Sequence, residues 1–123
     1  MGDRVLITFC ANEPGYSPCI YMHWRGAEAA QMIRDAQQYM RKADPTYAAA
    51  RFCGECHKAI PGALSLGILD APPEDADTAA LTELSHGDAG LYVVNVETGE
   101  VTCYGGYGDN FKLPADGWAK DAC

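Results

Sequence analysis

"AGLYVVNVETGEVTCYGG", residues 89–106, decides the fold class. Leu91–Val96 is a β-branched and aromatic run, Thr98-Gly99 supplies turn chemistry, and Glu100–Tyr104 is a second run. Two such runs around a short Gly-bearing turn predict an antiparallel hairpin. A hairpin near the C-terminus argues against a regular strand–helix alternation and hence against a doubly wound parallel sheet.

Working outward, "ALSLGIL" (63–69) alternates Leu64, Leu66 and Ile68 and predicts a strand. "DAPPEDADTAALTELSHGD" (70–88) reads as a long acidic loop with one helical turn near Thr78–Leu84, and residues 105–123 as an irregular, Gly/Pro/Asp-rich tail. At the other end, "RVLITFC" (4–10) predicts a strand with Val5, Ile7 and Phe9 on one face. "CIYMHW" (19–24) predicts a second, with Ile20, Met22 and Trp24 on one side and Cys19, Tyr21 and His23 on the other. Ala29, Ala30, Ile33, Ala36, Gln37 and Met40 form an apolar stripe that predicts a helix over residues 26–42. A second helix is predicted over residues 45–60, with Asp44 as its cap, Pro45 at its first position and Ala49, Phe52, Cys53, Cys56 and Ile60 on its stripe. The expected order is ββααβββ. It describes a single α+β domain over residues 1–123, with about five mostly antiparallel strands and two helices on one face.

Charge limits the function classes. The chain has 9 Lys+Arg against 17 Asp+Glu, a net charge of −8. Residues 1–60 carry seven basic and six acidic side chains, whereas residues 61–123 carry two and eleven. Such an acidic second half opposes nucleic-acid phosphates and favours a basic partner. No apolar run approaches the ~20 residues of a transmembrane helix, so no membrane partner is expected. The N-terminal stretch lacks a basic region followed by a long apolar one, which places the chain in the cytosol.

Cys53-Gly54-Glu55-Cys56-His57 matches the spacing of a c-type haem attachment site and could also serve zinc or redox chemistry. Haem needs a second axial ligand and, in most organisms, an exported chain. A structural zinc site usually shows two close ligand pairs, and only one is present. Cys53 and Cys56 share the helix stripe with Phe52, so reduced core thiols are expected, with no cofactor; a metal site at Cys53, Cys56 and His57 is the alternative. Catalytic readings rest on His23, on His86 in "SHGD" with Ser85 and Asp88, and on a Cys103–His23 pairing. "YGGYG" (104–108) lacks a phosphate-loop lysine and a following helix, and reads as a bend.

The stretches "IYMHWRG" and "SHGDAGLYVVNVETGEV" resemble parts of small proteins encoded by phages and prophages of proteobacteria. That group includes anti-CRISPR proteins and other inhibitors of host defence. The resemblance implies a non-enzymatic inhibitor or accessory protein, acting in the cytoplasm of a bacterial host on a basic surface of a host protein or ribonucleoprotein complex. The residues expected to bind it are Asp70, Glu74, Asp75, Asp77 and Glu83, with Tyr104, Tyr107 and Trp118 as aromatic anchors. A homodimer formed through edge strands and a small metal-binding or hydrolytic enzyme using His, Cys and Asp residues are the alternatives.

Overall fold

The structure is a computed structural model that describes residues 4–13, 15–23, 26–59, 66–85, 88–106 and 112–113. In chain order the elements are β1 (Val5–Cys10), β2 (Cys19–Met22), α1 (Ala29–Gln37, entered through a 3₁₀ turn at Gly26–Glu28), α2 (Pro45–Ala59) and β3 (Leu66–Leu69). They continue with α3 (Thr78–Leu84), β4 (Gly90–Asn95), β5 (Val101–Tyr104) and the two-residue β6 (Lys112–Leu113). The α+β class holds. The strands form one sheet in the order β3-β2-β1-β4-β5-β6.

Two expectations are corrected. The sheet is mixed: its outer pairings are antiparallel, but β1 and β4 at its centre run parallel, in register from Val5 opposite Gly90 to Cys10 opposite Asn95. The order ββααβββ also lacks α3, which lies between β3 and β4. These two departures share a cause. Parallel pairs occur where both faces of a sheet are covered. In β1 the alternating set Val5, Ile7 and Phe9 is fully buried, and so are Leu6 and Thr8 on the opposite face. One face packs under α1 and α2, through Ile33, Ala36, Met40, Phe52 and Cys56. The other, built on Leu6, Cys19 and Leu91, is closed by Leu81 of α3 and by Ala76.

The helix signals act locally as their chemistry dictates. The Asp44 carboxylate accepts from the Tyr47 backbone N–H at 3.1 Å, and Pro45 opens α2. α1 ends at Gln37 rather than running to residue 42. Residues 38–43 reverse the chain into α2, with Ala43 at φ 63° and Met40 still turned fully into the core. Gln37, placed on the apolar stripe by sequence, is buried there and donates to the Gly99 carbonyl at 3.0 Å, tying α1 to the β4–β5 turn. In that turn the Asn95 side chain accepts from the backbone of Glu97 and Thr98. Among the described residues no helix is long and apolar enough to cross a membrane.

Candidate functional site

Residues 59–111 contain no lysine or arginine, and their acidic part folds over the second sheet face. Pro72 and Leu81 are buried while Asp70, Glu74, Asp75, Asp77 and Glu83 are all exposed. The stretch read as a loop is thus a cover: a few apolar residues hold it down and its carboxylates face water. Asp77 also has a structural task, since its carboxylate caps α3 by accepting from the Ala80 N–H at 2.9 Å. Of the first half's cations, Arg34, Arg41, Lys42, Arg51 and Lys58 lie on α1, α2 and the turn between them, on the other side of the sheet, while Arg4 stands at the start of β1. The charge asymmetry of the sequence therefore becomes a two-faced molecule.

Three half-buried tyrosines line the acidic side. Tyr104, expected as an anchor, packs against the Leu6–Leu91 cluster together with Tyr16 and Tyr21. Burial pushes the Tyr16 and Tyr104 hydroxyls up, with a smaller push from the neighbouring Cys10 thiol. Sequence reasoning did not single out Tyr16 or Tyr21. The alternation of β2, which sets Tyr21 opposite Ile20 and Met22, was the available signal for Tyr21; Tyr16 sits in a loop and gave none. Tyr107 and Trp118 lie outside the described residues.

The candidates for chemistry do not converge. Cys56 is fully buried against the sheet, Cys53 is half-buried on its flank, and His57 is exposed. Among the described residues no group of three or more His, Cys, Asp or Glu side chains is placed to hold a metal ion. Cys103 belongs to the core under α1 and α2, its thiol directed to the Ala89 carbonyl at 3.2 Å. His23 Nδ1 instead shares a 2.7 Å hydrogen bond with the hydroxyl of Tyr21, a residue of β2 that lies three strands from Cys103 and packs in the opposite core cluster. The structure therefore does not bring Cys103 and His23, the Cys–His pairing that the sequence allowed, together. Asp88 is engaged by Arg4, whose backbone N–H and Nε donate to it at 3.1 and 2.9 Å, clamping the start of β1 to the entry of β4. His86 lies outside the described residues.

The five described cysteines are free thiols. Burial raises Cys19 to about 11 and Cys56 to about 12, and raises Cys10 and Cys53 as well. Thiols held neutral in this way are poor nucleophiles and poor metal ligands. The shifts also predict an alkaline weakening of the fold. Each thiol binds its proton more tightly folded than unfolded, so the stability it contributes is complete below the unfolded value near 8.5. It is lost as pH rises toward about 11 for Cys19 and about 12 for Cys56. The melting temperature should therefore fall progressively above about pH 9. Cys56→Ala, though less stable at neutral pH, should show a shallower fall; identical slopes would contradict the assignment.

No protein-family model, no curated protein and no solved structure matches this chain.

Proposed function

We propose that the protein is a non-enzymatic binding protein that engages a basic surface through the face formed by residues 70–84 and Tyr16, Tyr21 and Tyr104. One observation carries the reading: five carboxylates stand exposed along a single segment with no lysine or arginine nearby in sequence, on a support fixed by Leu81 and Pro72. Carboxylates held at intervals on a fixed support can take the place of phosphates in a groove lined by Arg and Lys, through charge-assisted hydrogen bonds. Flanking tyrosines supply apolar contact area at low entropic cost. A partner evolved to hold nucleic acid has this character, and the resemblance to phage accessory proteins points to a host nucleoprotein defence complex of the anti-CRISPR target kind.

The test is a charge-reversal series read against salt. Replacing Glu74, Asp75 and Glu83 together by Lys should leave the fold intact, since all three are exposed. It should weaken binding to a basic host complex by about a hundredfold or more at low ionic strength, since desolvated charge pairs contribute more than 1 kcal/mol each. Wild-type affinity should drop steeply as salt rises. Affinity unmoved by both changes would reject the acidic face as the binding surface.

Self-association is the second reading, and the β3 edge favours it. Ile68 and Leu69 are 65% and 42% exposed on a strand that, among the described residues, is paired on one side only. The Val-rich hairpin β4–β5 offers no such edge, because β4 pairs with β1 and β5 with β6. Light scattering distinguishes the readings: a concentration-dependent dimer that Ile68→Lys abolishes supports the edge.

A further inference from the structure

The face of α2 turned away from the core holds a second, differently built site. Arg51, Gly54, Glu55 and Lys58 follow the i, i+3, i+4, i+7 spacing of one helix face. With Tyr39 and Ala50 they line a cleft of about 300 Å³. Two features of this cleft stand out. Among the described residues the Glu55 carboxylate makes no hydrogen bond or ion pair, although the residue is only 7% exposed and Arg51 and Lys58 flank it one helical turn away on either side. Its oxygens are not sealed from solvent, so a ligand in the cleft can reach them. Gly54 sits inside α2, where a Cβ would meet nothing within 4 Å. Glycine inside a helix is unfavourable, and here no packing demands it.

The cations are arranged over aromatic rings rather than on Glu55. Arg51 donates Nη2 to the Tyr47 hydroxyl at 2.8 Å and lies 5.9 Å from the Tyr39 ring centre; Lys58 Nζ lies 5.8 Å from the same ring. These contacts hold the positive groups at the rim while leaving donors for an anion. A bare anion would meet the Glu55 charge, and a bare cation would meet Arg51 and Lys58. The arrangement suits a molecule that carries both charges.

We propose that this cleft binds a small amphoteric ligand, a protonated amine a few bonds from a carboxylate or phosphate. The amine donates to Glu55, the anionic group is gripped by Arg51 and Lys58, and the connecting carbons pass over the bare backbone at Gly54. At about 300 Å³ the cleft lies at the small end of ligand sites. The cleft is on the α2 side of the sheet, opposite the acidic face, so the proposal does not depend on that face binding a partner.

Phosphoethanolamine and β-alanine serve as probes for the two anion types, with inorganic phosphate and ethanolamine as single-charge controls. Binding is followed by calorimetry and by the amide resonances of Gly54 and Glu55. At least one amphoteric probe should move those resonances, with an affinity at least tenfold above both controls, and the better of the two identifies the anion. Glu55→Gln should remove the advantage of that probe over inorganic phosphate. Gly54→Ala should raise the melting temperature, because the helix gains a better former, and weaken the amphoteric probe at least tenfold by filling the floor of the cleft. The proposal fails if neither amphoteric probe moves the two resonances, if either control binds as tightly as the amphoteric probes, or if Gly54→Ala binds like the wild type.

Discussion

Gly90→Ala should destabilise the protein by about 3–5 kcal/mol, combining a forbidden backbone conformation with a clash that cannot relax. Gly90 opens β4 at φ 105°, a region that side chains rarely adopt. A Cβ there would run into the Gly105 carbonyl oxygen and approach the Tyr104 oxygen at 2.8 Å and Cys103 Sγ at 2.9 Å. Two of these obstacles are backbone, in the segment leaving β5. The crowding is reciprocal, because a Cβ on Gly106 would lie 2.5 Å from the Gly90 nitrogen. Gly105 and Gly106, part of the "YGGYG" read from sequence as a bend, thus form a strap folded against residues 89–90. Alanine must push the strap away, and with it the Ala89 carbonyl that accepts from the Cys103 thiol. Denaturant unfolding should show a large drop in midpoint with the slope little changed. A loss below about 1 kcal/mol would mean that the strap yields easily, contrary to its packing.

The second large effect is expected at Phe52. Its ring is fully buried and packs on Phe9 with ring centres 6.0 Å apart and planes tilted by 56°. This contact joins α2 to the central strand at the middle of the core. Phe52→Ala should cost about 3–5 kcal/mol, adding lost transfer free energy to the residual cavity. The aromatic pair itself contributes about 1 kcal/mol of this. Phe9→Leu and Phe52→Leu should each cost less than the truncation. Their double mutant should show coupling of about 0.5 kcal/mol or more, since the rings touch. Full additivity in equilibrium unfolding would show that the two rings stabilise independently.

Much of the local structure was legible in the sequence. Asp44-Pro45 announced the start of α2, the Ala29–Met40 stripe identified the buried face of α1 including Gln37, and Thr98-Gly99 placed the turn of the hairpin. Each of these signals rests on interactions within a few residues, where spacing is a sufficient description. The continuous apolar run of β1 carried a further message that alternation alone obscured: Leu6 and Thr8 are as buried as Ile7, which implies a strand covered on both faces.

Residues 70–88 show the opposite case. Their composition is that of a solvated loop, and five of the six carboxylates are indeed in water, but Pro72, Ala76 and Leu81 make the segment the second layer of the fold. A few apolar residues among many charges give no periodic signal; only the presence of a bare sheet face makes them a core. The parallel register of β1 with β4 is likewise a property of the assembled sheet, since it joins strands about eighty residues apart that carry no local mark of each other. The sequence by itself determined α1 and α2, the strands β1 to β5 and the imbalance of charge, but not α3 or β6. Tertiary structure alone decided that the imbalance lies on opposite faces, because a sheet buried on both sides must place its two covering layers apart. It also decided that Glu55 stands unpaired beside two cations, because the α1–α2 turn carries Tyr39 to them and their charges rest on its ring.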